Sequence, residues 1–210
     1  NNILLKNIDK SLIRKYVHYL NIKGYQRSSI NRKLSVLRSL FNYVSTNSDF
    51  DEITISMISK SKIQKKLPSI ISIEQTERLI SSIDVTNLLG VRDRALIETL
   101  YTTGMRVSEI SSLNIDDFID KNKIKLMGKG AKPRVVFMSG TARTWIDQYI
   151  KLCSRKFKNH QNNALFLNRF GARLSVRSIQ NIVKKYGYKS GIGVSLHPHL
   201  LRHTFATHML

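Results

Sequence analysis

The residues best suited to chemistry lie near the end of the chain, where two histidines flank an arginine. His199, Arg202 and His203 follow Pro198, which is preset for the first turn of a helix. Because residues three or four positions apart share one face of a helix, His199 faces the same side as both other residues. The first turn also favours an anion through its unpaired N–H groups and the helix dipole. This pattern predicts an anion site or a solvated basic helix end.

A metal site is the competing interpretation of the same histidines. His199 and His203 are four residues apart, as in zinc-binding helices, but the residues between them include no acid. The cation of Arg202 would oppose a metal ion, so no metal ligand is predicted. His203 is instead expected to support the site by hydrogen bonding, and His197 and His208 are expected to be structural.

A cluster of acids raises a second metal alternative, a two-metal nuclease centre. The acids are Asp116, Asp117 and Asp120. They lie beside a predicted helix start, where carboxylates are favoured by the helix dipole. Helix capping is therefore the preferred interpretation.

Two further stretches carry charged residues at defined spacing, and together with the first they form an ordered set. In chain order the three are T-G-M-R-V-S-E-I, G-K-G-A-K-P-R and H-P-H-L-L-R-H-T-F-A-T-H. They resemble the three boxes of the tyrosine recombinase (phage integrase) family, most closely its Xer-like members. The resemblance runs from about Ile8 to Leu210, and three ordered boxes are far more specific than one short motif.

The resemblance implies roles for four catalytic residues. Guanidinium groups suit the non-bridging oxygens of a phosphodiester because the planar fork can bind two oxygens at once. Arg106 and Arg202 correspond to the family's catalytic arginines, and His199 corresponds to a further donor. Lys129 corresponds to the lysine that protonates the leaving oxygen. Glu109, three residues after Arg106, is expected to brace its guanidinium.

The family's nucleophile is a tyrosine that follows the histidine box. The chain's tyrosines, among them Tyr101, Tyr149, Tyr186 and Tyr188, precede that box and are predicted to be core or surface aromatics. The nucleophile is therefore expected beyond Leu210. Both ends of the chain are expected to be truncated, because Asn1 stands where an initiator methionine would be. The family's reaction uses no cofactor.

The charge of the chain identifies the class of partner. Lys and Arg number 35 against 14 Asp and Glu, which gives a formal net charge of +21. Such an excess indicates a polyanion partner, and nucleic acid is the first candidate. No signal-type start, long apolar run or basic amphipathic anchor indicates a membrane. We expect a cytoplasmic, nucleoid-associated protein bound to double-stranded DNA, and the resemblance implies a homo-tetramer on DNA for the intact protein.

Hydrophobic spacing divides the chain into two predicted domains. Residues 1–58 form part of a helical N-terminal DNA-binding domain, in which Asp9 caps the first helix, Gly24 ends it and Ser28 or Ser29 caps the second. The apolar stripe of the second helix is predicted to include Leu40. Residues 59–68 form a basic linker. The residues predicted to contact DNA are Arg27, Ser28, Arg32, Lys33, Arg38, Lys132 and Arg134.

Residues 69–210 are predicted to form a catalytic domain that lacks its C-terminal end. Gly104 is expected to end a helix in the left-handed conformation, directly before Arg106. A hairpin is predicted for residues 123–138, with 164–167 as a third strand or an isolated extended piece. Capping residues are predicted at Ser72, Ser139 or Thr141, and Ser175. Gly187, Gly191 and Gly193 are predicted to interrupt regular structure before the last box.

The predicted fold is mainly α with a small antiparallel β-sheet, in two domains: a helical SAM-like part and an α+β DNA breaking-rejoining core. The resemblance implies site-specific recombination through a 3′-phosphotyrosyl intermediate in the intact parent. The alternative is a non-catalytic basic DNA-binding module, or a shortened recombinase that occupies sites without cutting. Arg106, Lys129, His199 and Arg202 favour the enzyme, because binding alone needs no such convergence.

Overall fold

The computed structural model describes residues 8–47, 70–127, 132–157 and 163–209. The chain divides into two compact units, Asn1–Leu67 and Pro68–Leu210, each with its own hydrophobic core. Among the helices within those ranges, none is both long and apolar enough to cross a lipid bilayer. The predicted linker, residues 59–68, lies outside the described residues.

The first unit contains helices α1 (Lys10–Ile22) and α2 (Arg27–Asn47). Asp9 caps α1 as predicted, since its Oδ1 accepts a hydrogen bond from the Leu12 N–H at 2.8 Å. Gly24 follows the end of α1 with a φ of 73°, which also confirms the prediction. The two helices bury one apolar face each, formed by Ile13, Leu20, Ile30, Leu34 and Phe41.

Two predictions for α2 were wrong. The helix begins before Ser28, because the backbone N–H of Ile30 already donates to Gln26 O at 3.0 Å, so neither Ser28 nor Ser29 caps it. Leu40 is 44% exposed and lies outside the apolar stripe. Six residues beyond the buried Leu34, it is turned about 120° away from the core at ~100° per residue.

The second unit contains six described α-helices. They are α3 (Ile73–Ser81), α4 (Leu88–Thr103), α5 (Val107–Ser112), α6 (Gly140–Lys156), α7 (Val176–Lys189) and α8 (Pro198–His208). α4 packs against both α6 and α8 and is buried along most of its length. The predicted capping box at Ser72 and Gln75 and the predicted caps Ser139 and Ser175 are all present.

A three-stranded antiparallel sheet lies beside these helices, in the order β1 (Phe118–Asp120), β2 (Lys123–Met127), β3 (Pro133–Phe137). The predicted hairpin strands are confirmed. The remaining strand of the sheet, β1, precedes the hairpin in the sequence, and its three residues are too few to show a recognisable strand pattern. Residues 164–167 are the isolated piece, because Ala164 bridges Asn114 and all four are buried.

The predicted break at Gly187 was wrong, because α7 continues to Lys189. Gly187 is buried inside the helix, where an added Cβ would overlap the Leu196 side chain. The glycine therefore permits close packing of the segment that leads into α8. The two overall predictions, a mainly helical fold and a small antiparallel sheet, are confirmed.

A buried polar network holds the start of α4 to its neighbours. Arg92 pairs with Asp93 at 2.6 Å and donates to the Leu167 carbonyl at 2.9 Å. The hydroxyl of Tyr186, on α7, donates to Asp93 Oδ2 at 3.1 Å. A buried ion pair is tolerated when such hydrogen bonds satisfy it. The network orients α4, whose opposite end carries the candidate site.

Candidate phosphate-binding site

The site begins at the turn between α4 and α5. Gly104 closes α4 in the left-handed conformation with φ 58° and ψ 22°, as predicted. Such a conformation costs a residue with a Cβ about 1–2 kcal/mol. Met105 is fully buried and anchors the turn, so that Arg106 emerges at the start of α5. We call residues 104–106 the arginine turn.

Glu109 holds the guanidinium of Arg106. Its carboxylate accepts the Arg106 backbone N–H at 2.8 Å and the Arg106 Nη1 at 3.1 Å. The predicted ion pair is therefore present. The Arg106 side chain is 56% exposed while that of Glu109 is only 12% exposed. The carboxylate of Glu109 is thus largely shielded from water, and the cation that it holds faces solvent.

The same carboxylate binds a second arginine that the sequence did not reveal as a partner. Nη2 of Arg134, on β3, lies 2.8 Å from both Glu109 oxygens. Burial raises the pKa of Glu109, but the hydrogen bonds from Arg106 and the charges of Arg134 and Arg106 outweigh it, so the pKa lies below its ordinary value. Glu109 is therefore ionised at neutral pH and joins the sheet to the arginine turn.

Arg202 reaches the arginine turn from α8. Its Nη1 donates to the Gly104 carbonyl, two residues from Arg106. Phe205, one turn further along α8, packs on Gly104 so closely that a Cβ there would overlap its ring. Although Arg106 and Arg202 are 96 residues apart in the sequence, both are fixed to the same turn.

The histidines of α8 have separate partners. His197 is the N-cap, and its Nδ1 accepts the Leu200 N–H at 3.1 Å. Burial and the neighbouring imidazoles His199 and His203 lower the pKa of His197. His208 contacts the Tyr101 hydroxyl at 3.0 Å through Nδ1. His197 and His208 thus have the structural roles predicted for them.

His199 and His203 form a pair on the exposed side of α8. Their Nε2 atoms are 3.1 Å apart, and their rings meet edge to face with centroids 4.4 Å apart. One nitrogen donates and the other accepts in this contact, so His203 can set which His199 nitrogen carries a proton. His203 could support His199 through this contact, and that role stays a prediction.

Lys129 lies outside the described residues, as do the other residues from 128 to 131. The strands on either side of that gap are described, and their register pairs Met127 with Pro133. The hairpin is joined to the arginine turn through Arg134 and Glu109. Lys132 is exposed next to the gap. Its predicted contact with DNA, and the catalytic role of Lys129, stay predictions.

The cations predicted to bind DNA in the first unit lie on α2. Arg27, Ser28 and Arg32 are exposed. Lys33 lies over the Tyr25 ring at 5.0 Å, and Arg38 is partly buried and has a partner of its own. Arg32 lies nearly opposite the buried Leu34, so it projects from the solvent side of the helix.

The three acids considered above as a two-metal centre each have a hydrogen-bond or ion-pair partner within the protein. Asp117 Oδ2 accepts the Asn114 N–H at 2.7 Å at the start of the 3₁₀ helix Ile115–Asp117, and Asp116 binds Asn163 at 2.7 Å. Asp120 pairs with Lys123 at 3.7 Å. Within the described ranges, no group of three or more His, Cys, Asp or Glu residues could hold a metal ion.

The tyrosines named above have the structural environments predicted for them. The hydroxyl of buried Tyr149 accepts the Leu167 N–H at 3.0 Å, and Tyr186 binds Asp93. Tyr101 contacts His208, and Tyr188 is 69% exposed. Cys153 packs partly buried against the core, and burial raises the pKa of its thiol.

Arg134, predicted to contact DNA, binds Glu109 in this structure while its side chain stays 38% exposed, and its contact with DNA stays a prediction. On β3 the side chains alternate between the two faces, and Arg134 and Val136 take the half-buried positions. This alternation was readable in the sequence, but the acid facing Arg134 comes from α5. Only the tertiary packing, in which β3 contacts α4, the helix that precedes α5, brings Glu109 into reach.

The convergent arginines, the histidine pair and the braced acid form one cationic site, whose donors suit an anion. The Phage integrase family model matches residues 70–210, and the model for its N-terminal SAM-like domain matches residues 2–46. The chain therefore belongs to the phage integrase family. The match over residues 70–210 includes every residue of the candidate site.

Similar proteins include tyrosine recombinases XerC. The chain is 39% identical to that of Chlamydia caviae over 202 residues, which are 96% of this chain and 65% of the relative. It is 34% identical to that of Escherichia coli O157:H7 over 203 residues, with 96% and 67% covered. The chain thus spans about two thirds of the length of these relatives.

Two solved structures share the fold across nearly the whole chain. The XerH site-specific recombinase bound to palindromic difH substrate superposes with a TM-score of 0.82 at 26% identity, covering 98% of this chain and 62% of that one. The XerA recombinase superposes with a TM-score of 0.61 at 26% identity, covering 99% and 71%.

Proposed function

We propose that the chain is the DNA-binding and phosphate-gripping part of a site-specific tyrosine recombinase. The observation that carries the proposal is the attachment of Arg106 and Arg202 to one turn, with His199 one helical turn before Arg202. Two guanidinium groups anchored together can neutralise one phosphodiester from two directions. The family membership and the XerC relatives support the same reaction class.

The chemistry follows from the charge that develops during cleavage. Arg106 and Arg202 stabilise the non-bridging oxygens as a tyrosine oxygen attacks phosphorus, and His199 donates a further hydrogen bond. Lys129 gives its proton to the departing 5′-oxygen. As the P–O5′ bond breaks, the phosphate stays on the 3′-oxygen of the cut strand and becomes esterified to the tyrosine oxygen, whose proton is released to solvent. The phosphotyrosyl ester keeps the bond energy that rejoining needs. No cofactor has a step in this sequence.

Double-stranded DNA is the proposed partner. The net charge of +21 and the exposed cations Arg27 and Arg32 on α2 support it. The similar XerH structure has its substrate DNA bound. Binding should weaken with salt with a log–log slope of about −0.9 per phosphate neutralised. A nearly flat salt response would argue against the proposal.

Cleavage is tested in the protein encoded by the complete gene, with a nicked substrate that traps the covalent adduct. We expect Arg106→Ala, Arg202→Ala and Lys129→Ala each to slow adduct formation ~100- to 1,000-fold, the cost of one transition-state donor. Arg155→Ala is the matched control, since it removes an exposed arginine from the last turn of α6. Near wild-type adduct formation by the first three variants would refute the assigned roles.

The same assay separates the enzyme from a non-catalytic DNA-binding module. A module that only occupies sites would form no adduct with any of these proteins, and its affinity would fall equally for Arg106→Ala and Arg155→Ala. The structure favours the enzyme because Glu109 fixes Arg106 through both its backbone N–H and its guanidinium. Simple charge attraction to DNA requires no such brace.

The remaining parts of the proposal concern the intact protein. We propose residues 1–58 as part of the N-terminal DNA-binding domain, 59–68 as the linker and 69–210 as the catalytic domain. The nucleophilic tyrosine after Leu210, tetramer assembly on DNA and a cytoplasmic, nucleoid-associated location also stay predictions. Sequencing the gene past Leu210 tests the first of these directly.

A further inference from the structure

The outward side of the three-stranded sheet is unusual for a surface that faces water. Ile119 is 58% exposed, Met127 63%, Val135 47% and Phe137 67%. In an antiparallel sheet with one solvated face, the outward positions are normally polar. Here the inward positions are filled by core residues such as Ile124, and the outward ones are filled largely by apolar side chains as well.

These side chains form one patch with two lysines. The strand register places Lys123 opposite Phe137 and Lys125 opposite Val135. Side chains directly opposite each other in an antiparallel pair have Cβ atoms about 4.5–5.5 Å apart. We call the following residues the outer sheet face: Ile119, Lys123, Lys125, Met127, Val135 and Phe137.

The outer sheet face and the candidate phosphate site lie on opposite sides of β3. Arg134 takes a half-buried position and binds Glu109, while its neighbours Val135 and Phe137 are exposed. Successive side chains of a strand point to opposite faces. A molecule bound to the outer sheet face would therefore leave the arginine turn free.

The chemistry of the face selects among possible occupants. Contiguous exposed apolar patches mark interaction sites, because covering them removes apolar surface from water. A second copy of this chain carries +21 charges and would bring lysines against lysines. Duplex DNA would pair with Lys123 and Lys125 but offers phosphates and sugars, not a pocket, to Phe137. An acidic segment with large apolar side chains complements both parts of the patch.

We propose that the outer sheet face docks a partner protein through a segment that combines carboxylates with aromatic or aliphatic side chains. The carboxylates pair with Lys125 and share Lys123 with Asp120, which lies 3.7 Å from it, and the apolar side chains cover Phe137 and Val135. This inference does not depend on the proposed recombinase activity. It would give the protein a docking point on the strand that also carries Arg134.

The probe is a short peptide in which glutamates alternate with phenylalanine and leucine, titrated into the isotope-labelled 210-residue chain. We expect amide shifts confined to β1–β3 and to the residues packed on them. Phe137→Ser should weaken binding at least about 10-fold, as expected for a central apolar contact. Phe170→Ser is the matched control, because Phe170 is 77% exposed but lies outside the sheet.

Charge and sequence controls complete the test. A Lys123→Glu, Lys125→Glu double variant should no longer bind the acidic peptide. A peptide with lysine in place of glutamate should not bind the wild-type chain. Equal affinities for Phe137→Ser and Phe170→Ser, or shifts outside the sheet, would overturn the proposal. So would a Phe137-dependent dimer or a Phe137-dependent loss of duplex DNA binding, which would identify another occupant.

Discussion

Replacing Glu109 by glutamine tests the central interaction of the site. The carboxylate accepts four hydrogen bonds, two from Arg106 at 2.8 and 3.1 Å and two from Arg134 at 2.8 Å. Glutamine keeps the shape but is neutral, and its amide nitrogen cannot accept a hydrogen bond from a guanidinium. The variant keeps one acceptor oxygen but loses the charge and the second acceptor, so it weakens the hold on both Arg106 and Arg134.

The loss of folding stability in Glu109→Gln can be estimated from the exposure of each group. Ion pairs of partly exposed arginines contribute ~0.2–1 kcal/mol each, and a capping contact contributes ~1 kcal/mol. We expect the free energy of unfolding of the second unit to fall by about 1–2 kcal/mol. An unrestrained arginine regains up to about 2 kcal/mol of side-chain entropy, which corresponds to a roughly 30-fold slower cleavage step.

DNA affinity should move in the opposite direction from cleavage. Glu109→Gln raises the formal net charge of +21 by one, so electrostatics alone predicts unchanged or slightly tighter binding. Affinity is measured by fluorescence anisotropy with duplex DNA, and cleavage by adduct formation on a nicked substrate. The control is Asp147→Asn, which removes an acid paired with Arg143 on α6.

The brace would be refuted by either of two results. Cleavage by Glu109→Gln at the rate of Asp147→Asn would show that Arg106 needs no support from this carboxylate. A parallel loss of affinity and cleavage would show that the substitution damages the whole unit. Urea unfolding of each variant separates that second case from loss of the brace.

Three further predictions concern the elements that position the site. Gly104→Ala should lower the free energy of unfolding by at least about 1–2 kcal/mol, measured in urea, because φ is 58° and the added Cβ would overlap Phe205. Tyr149→Phe should cost about 1–3 kcal/mol in the same assay, because it leaves the buried Leu167 N–H without its acceptor. The pKa of His197 is lowered from 6.5 by burial and by neighbouring imidazoles. Neutral His197 therefore stabilises the folded state fully above pH 6.5, and this stabilisation is lost as the pH falls through the pKa of the folded state. Asparagine at this position can keep the cap without titrating, so His197→Asn should flatten the fall in stability measured by urea unfolding at decreasing pH.

Each of these predictions has a result that would contradict it. Wild-type stability of Gly104→Ala would mean that α8 can move away from the arginine turn at no cost. An unchanged Tyr149→Phe would mean that the Leu167 N–H finds another acceptor. An equally steep acid dependence of His197→Asn would assign the proton uptake to a different group.

Local sequence rules predicted most of the helices because the signals are contained within a few residues. Ser72 with Gln75 satisfies the first turn of α3 from its own side chains, and Gly104 can adopt a left-handed φ without help from a neighbour. The prediction for Leu40 was wrong because it extended the apolar stripe of α2 too far around the helix. Gly187 was misread because a glycine required for close packing has the same local signature as a helix breaker.

The sequence by itself determined the types of the reactive residues, their boxes and the charge that attracts a polyanion. Only the tertiary structure decided which of them meet. The Arg202 guanidinium reaches the Gly104 carbonyl because α8 packs on α4, and Arg134 binds Glu109 because β3 packs against α4, the helix that precedes α5. These contacts join residues 25 and 98 positions apart, and no local pattern encodes a partner at that distance, since it is set by how the buried faces of the elements fit together.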